Sequence, residues 1–142
     1  MIGNDLSNKC AEGLLIRIED TIVTYKEETL KDTICNFIFG AENRAEINQD
    51  GVTLLELLFK KTDFNVTLVV SHSYMIEPLQ KLLKGIPYVG SIKEMDLMSI
   101  YTFMHYRRYA LYVDNNIERR QKVGGEDICI NVDKCFKYIR RT

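Results

Sequence analysis

The spacing of apolar positions changes several times along the chain, and each change marks an element. Leu6, Cys10, Leu14, Ile18 and Ile22 lie four apart, as on one helix face, yet Leu14-Leu-Ile-Arg-Ile18 and Thr21-Ile-Val-Thr-Tyr25 are runs of β-favouring residues. Gly13 weakens a long helix through both, so the pattern predicts β structure. Over residues 27–39, Leu30, Ile34, Phe37 and Ile38 keep helical spacing, acidic residues fill the first turn and Gly40 supplies a stop. The polar run 41–51 predicts a loop, and 52–61 a helix capped by Asp50.

Residues 65–70, Asn-Val-Thr-Leu-Val-Val, are β-branched, bounded by turn formers and apolar on both faces, which predicts a central strand. Ser71 or Ser73 then caps a helix that runs to Leu83 and stops at Gly85. After the turn 86–90, Ser91-x-x-Glu94 has the form of a capping box, which opens a helix over 95–112 that Asp114-Asn-Asn116 ends. Ile128, Ile130 and Val132 alternate as a strand, followed by Asp133 as cap of a short basic helix over 134–141. The expectation is a single compact domain over 1–142, α+β or α/β, with a small sheet of three or four strands packed by four or five helices.

Composition supports one unit: 142 residues, 46% of them hydrophobic, suffice for a core, and no repeat, low-complexity tract or linker interrupts them. The net charge of −1 conceals an asymmetry. Residues 1–100 carry 10 basic against 15 acidic residues, whereas 101–142 carry 9 against 5, so the last third has the sign to attract an anion. Cys10, Cys35, Cys129 and Cys135 form no C-x-x-C pair, and no secretory leader is evident, so the expectation is reduced thiols in a cytoplasmic setting. Apolar runs are too short for a membrane span, no nucleotide-binding glycine motif is present, and two isolated histidines define neither a metal site nor a catalytic triad. No cofactor and no membrane partner are expected.

Candidate chemistry concentrates in 95–125. Five of the fourteen aromatic residues fall in 95–112, interleaved with His105, Arg107 and Arg108. Placed on a helix at about 100° per residue, the stretch divides into Leu97, Ile100, Met104 and Leu111 on a core face, and Tyr101, His105, Tyr109 and Tyr112 on the other. Arg119, Arg120 and Lys122 form a second basic cluster, followed by Gly124-Gly125. Guanidinium pairs suit bidentate phosphate contacts, and aromatic faces beside them suit stacking. The residues expected to contact a partner or anion are therefore Tyr101, His105, Arg107, Arg108, Tyr109, Tyr112, Arg119, Arg120 and Lys122, with no catalytic residue among them.

Two segments resemble known families. Val69-Val-Ser-His72, at the end of a strand and before a helix, resembles the second histidine segment of histidine phosphatases, but the Arg-His-Gly motif that supplies their nucleophile is absent. The stretch 79–112, a helix, an Ile-Pro turn and an aromatic helix, is similar to the central part of elongin C and the Skp family of BTB-type adaptors. Three functions follow in order of expectation. The first is a non-enzymatic binding subunit that docks through 95–125 onto a protein partner or larger complex, a ribonucleoprotein being one candidate, with RNA or another polyanion meeting 101–125. The second is a protein-only adaptor or inhibitor. The third is a degenerate or unusual phosphohydrolase that uses His72.

Overall fold

In the computed structural model the described residues are 12–25, 45–61, 64–86, 91–106, 111–124 and 127–140. They form a parallel five-stranded sheet with helices on both faces, an α/β domain. The strands are β1 (Glu12–Arg17), β4 (Phe64–Val70), β5 (Ser91–Glu94), β6 (Leu111–Val113) and β7 (Cys129–Ile130), in spatial order β5-β4-β1-β6-β7. A separate antiparallel pair joins β2 (Val23–Tyr25) to β3 (Ala45–Ile47). The helices are α1 (Gln49–Lys60), α2 (Ile76–Leu82), α3 (Leu97–Tyr106), α4 (Ile117–Val123) and α5 (Val132–Arg140), with a 3₁₀ turn at Ser73–Met75.

The three inner strands share a sequence device: three apolar residues and then a polar one. These are Leu14-Leu15-Ile16-Arg17, Leu68-Val69-Val70-Ser71 and Leu111-Tyr112-Val113-Asp114. A parallel strand covered on both faces must be apolar on both, and polarity returns where the chain leaves the sheet. Leu14, Ile16, Leu68, Val70 and Val113 pack with Leu54, Leu55 and Leu58 of α1, Leu79 of α2, and Cys135 and Ile139 of α5. On the opposite face Leu15, Val69 and Tyr112 meet Ile100 and Met104 of α3 and Val123 of α4. Each such fully buried aliphatic side chain contributes about 1.5–3 kcal/mol relative to exposure.

Several expectations are corrected in detail. The sheet has five strands, not three or four; the 65–70 segment is an internal strand as expected, β4, lying between β5 and β1. Ser91-x-x-Glu94 is not a capping box: these residues are edge strand β5, paired to β4, and Asp96 caps α3 by accepting from the Ser99 amide at 2.7 Å. Part of the expected 41–51 loop is strand β3, and α1 starts three residues early because Asn48, not Asp50, is its cap. Neither Ser71 nor Ser73 caps a helix; His72 and then Met75 precede the turn and α2 without side-chain capping bonds. Val132 opens α5 instead of ending a strand, and Asn131 Oδ1 accepts from the Lys134 amide in place of an Asp133 cap. The helix expected over 27–39 lies outside the described residues. The BTB-type likeness of 79–112 does not hold, since this stretch contributes two strands of a parallel sheet.

No helix among the described residues is long and apolar enough to cross a membrane. Cys129 and Cys135 are free thiols, and burial pushes their pKa up to about 11 and about 12. The thiolate is the reactive form, so at pH 8 iodoacetamide is expected to leave both unmodified in the native fold and to label both after denaturation. Peptide mass spectrometry reads the difference; native labelling of Cys135 at the rate of an unfolded peptide would contradict the buried placement.

Candidate functional site

From β1 the chain moves outward through β4 to β5, then returns past β1 to β6 and β7. Connections on either side of β1 therefore diverge, and the carboxyl ends of β1 and β6 border the crevice where open α/β sheets place their ligands. Four segments build this mouth: Arg17 at the end of β1 with the loop to Thr21, Ser71 and His72 after β4, Asp114 to Asn116 after β6, and Arg119 and Arg120 on α4.

Arg17, only 1% exposed, ends the central strand with its side chain spent inside the mouth. Its Nε donates to the Tyr112 hydroxyl at 3.1 Å, and its Nη1 donates to Glu19 Oε1 at 3.2 Å and to Ser71 Oγ at 2.9 Å. Glu19 Oε2 accepts from the Ser71 amide at 2.9 Å, so both oxygens of that carboxylate are engaged. Asp114 is fully buried. Its Oδ2 accepts from the Tyr112 hydroxyl at 2.5 Å and from Arg119 Nε at 2.7 Å; its Oδ1 accepts from the Asn116 amide at 2.9 Å and Arg119 Nη2 at 3.1 Å. Arg120 Nη1 donates to the Asp114 carbonyl at 2.8 Å.

Arg119 also ties the β1 loop to β6, because its Nη2 donates to Asp20 Oδ2 at 2.8 Å and to the Glu19 carbonyl at 3.1 Å. That loop is tight: Asp20 has φ 69°, in the left-handed region that Asp tolerates better than most residues, and its amide donates to the Val23 carbonyl at 2.8 Å. Thr21 and Asn115 close the floor, since Thr21 Oγ1 accepts from the Asn115 amide at 3.0 Å.

The electrostatics keep these roles fixed. Burial holds the Tyr112 hydroxyl well above the usual tyrosine range, which keeps it a neutral donor to Asp114. For both arginines burial opposes the charge, but Tyr112 and Glu19 around Arg17, and Asp114 and Asp20 around Arg119, more than offset it and raise both. Three carboxylates and three guanidiniums thus meet at one end of the sheet, and Glu19 and Asp114 have no oxygen without a donor.

Of the described residues expected to contact a partner, Tyr112, Arg119 and Arg120 lie away from the surface that Tyr101 and His105 share. Tyr112 is not on the helix edge with Tyr101 and His105: it sits in β6, 0% exposed, facing Arg17. Arg119 and Arg120 turn to the mouth as internal partners of Asp114 rather than outward. Tyr101 and His105 share an exposed edge of α3, their ring centroids 4.2 Å apart, and Tyr101 lines a groove of about 370 Å³ with Leu97, Met98 and Lys122. Arg107, Arg108 and Tyr109 lie outside the described residues. His72 borders the mouth, its ring stacked on Tyr74 with centroids 5.1 Å apart.

Arg17, Glu19, Asp20, Ser71 and Asp114 were absent from the expected site. The signal that could have found them is the apolar triplet followed by a polar residue, repeated at three places in the chain. Read singly, each looks like a strand end; read together, they mark the same end of one parallel sheet.

No family model matches the chain, and no curated protein matches it. Among solved structures, the HAD domain of effector protein Lem4 from Legionella pneumophila matches with a TM-score of 0.56 at 10% sequence identity, covering 91% of this chain and 93% of that one. This likeness and the inward-facing Tyr112, Arg119 and Arg120 overturn the expected non-enzymatic docking subunit, whose helix edge does not exist as drawn. At that identity the likeness concerns architecture alone: the fold of this chain is similar to that of the Lem4 HAD domain.

Proposed function

We propose that this domain is a degenerate phosphohydrolase: a HAD-type fold whose mouth recognises a phosphate-bearing ligand but presents no free buried carboxylate to attack it. The HAD fold is a phosphohydrolase fold, which favours the third of the functions weighed from the sequence over the first two. The observation that carries the reading is Arg17 at the end of the central strand, its guanidinium locked to Glu19 and Tyr112 while Asp114 is locked to Arg119.

Covalent phosphoryl transfer to a carboxylate needs an oxygen lone pair aimed at phosphorus. Each Asp114 oxygen takes two donors, which uses both of its lone pairs, and the Glu19 carboxylate is held by the Arg17 guanidinium on one oxygen and the Ser71 amide on the other. Asp20 is more exposed but also paired to Arg119. Recognition, by contrast, has its groups in place. Arg17 Nη2 has no hydrogen-bond partner among the described residues although the side chain is buried, and a buried donor of that kind calls for an acceptor. Ser71 Oγ accepts from Arg17 and keeps its own proton to donate. His72 borders the same opening.

The test pairs calorimetric titration of phenyl phosphate, at constant ionic strength, with a p-nitrophenyl phosphate assay. Saturable binding is expected, weakened about tenfold or more in Ser71→Ala, as for loss of a hydrogen bond to a charged group. Turnover is expected at the buffer rate. Hydrolysis above that rate which Asp20→Asn abolishes would make this an active enzyme and end the reading, as would the absence of saturable binding.

A further inference from the structure

We infer that Arg119 is the resident cation of this mouth, its Nη2 standing at the point where a divalent metal ion would otherwise be drawn. Three oxygens from three residues converge on that one nitrogen: the Glu19 carbonyl at 3.1 Å, Asp20 Oδ2 at 2.8 Å and Asp114 Oδ1 at 3.1 Å. Two carboxylates and a main-chain carbonyl are the donor set that hard cations prefer, and Ca²⁺ or Mg²⁺ would draw the same oxygens in to about 2.0–2.6 Å.

Phosphoryl transfer commonly draws on a metal ion to neutralise charge. The residues here do not fit one, because the converging oxygens already surround a guanidinium nitrogen. Among the described residues no three His, Cys, Asp or Glu side chains converge as a metal site. Arg119 is also built in rather than swung in. It lies on the first turn of α4, its amide donates at 3.0 Å to Asn116 Oδ1, the helix cap, and its Nε makes the second arm of a bidentate pair with Asp114. A guanidinium cannot lose its proton in this environment, so the charge is permanent.

A tethered cation differs from a bound one in being independent of metal supply and of chelators. The inference shares its site with the phosphate reading but is measured by metal uptake, so failure of one is distinguishable from failure of the other. Loss of the free Mn²⁺ signal in electron paramagnetic resonance, followed as the full chain is added, is the readout. The unaltered protein is expected to leave the signal undiminished, whereas Arg119→Ala is expected to take up Mn²⁺ saturably and to lose that uptake when Asp114→Asn is added.

Two results overturn the assignment: Mn²⁺ uptake by the unaltered protein that Asp114→Asn abolishes, or a folded Arg119→Ala that takes up none. If Arg119→Ala does not fold alone, Mn²⁺ is expected to restore its folding. The milder Arg119→Gln then decides, with uptake supporting the assignment, and failure of both variants to fold or bind in Mn²⁺ ending it.

Discussion

Replacing Arg17 by Met is expected to destabilise the domain by about 3–5 kcal/mol, the range for removing one partner of a buried ion pair. Met preserves the apolar stem of the side chain and deletes only the guanidinium. What remains is Glu19, 8% exposed, without the donor to its Oε1, and a Tyr112 hydroxyl without the Nε donor. Asp114 also loses the cation 3.9 Å from its Oδ2. The cost arises from the charges left behind in a region that excludes water, more than from the contact removed. Urea unfolding followed by circular dichroism measures it. Adding Glu19→Gln is expected to recover part of the loss, and the non-additivity reports the coupling of the pair. A deficit below about 1 kcal/mol, the range of an exposed pair, would contradict the buried network.

Gly51→Ala is expected to cost about 3 kcal/mol, at the upper end of overpacking losses, although helix propensity alone would favour it by about 1 kcal/mol. Gly51 lies in the first turn of α1, and an added Cβ would stand 2.2 Å from the Thr21 carbonyl oxygen and 3.0 Å from Ile22 Cα. The atoms in the way are backbone, so no rotamer change relieves the clash. Asn48 staples the same turn, its Nδ2 donating to the Thr21 carbonyl at 2.9 Å and its amide to the Ile22 carbonyl at 2.7 Å. The helix start would have to lift from the loop that carries Asp20 and Thr21, so reduced stability should be accompanied by weaker phenyl phosphate binding. A melting temperature equal to or above that of the parent would show that the helix sits farther from the loop.

Legibility in the sequence followed the strength of the hydrophobic signal. Strands β1 and β4 are apolar on both faces and read as β structure without help from the fold. Edge strand β5 could not be read in this way, because Ser91, Lys93 and Glu94 are exposed and the segment is held by backbone pairing to β4. Strand β6 is three residues long and follows an aromatic helix with little change in composition, so a helical period extended over Tyr112 cost nothing. The same error moved Tyr112 from the centre of the sheet to a helix edge. In the sequence Arg119 and Arg120 read as anion-seeking groups, and the structure gives them carboxylate and carbonyl partners instead. A guanidinium reads the same in a sequence whether its acceptor is a ligand or a residue 99 positions away, as Asp20 is from Arg119.

That separation bears on how the chain folds as it is made. The strand at the middle of the sheet is synthesised early, yet its Arg17 finds the Tyr112 hydroxyl only after 95 further residues, and β1 gains its second neighbour only when β6 has formed. High contact order of this kind slows folding, since the entropy of closing a long loop precedes any return from the pairing. A nascent chain stopped short of β6 would hold a positive charge at the end of an apolar strand with only Glu19 and Ser71 to meet it, and one open edge beside it. Completion of the domain is therefore tied to the emergence of its last third, and a truncation before Leu111 would release a sticky strand rather than a smaller fold.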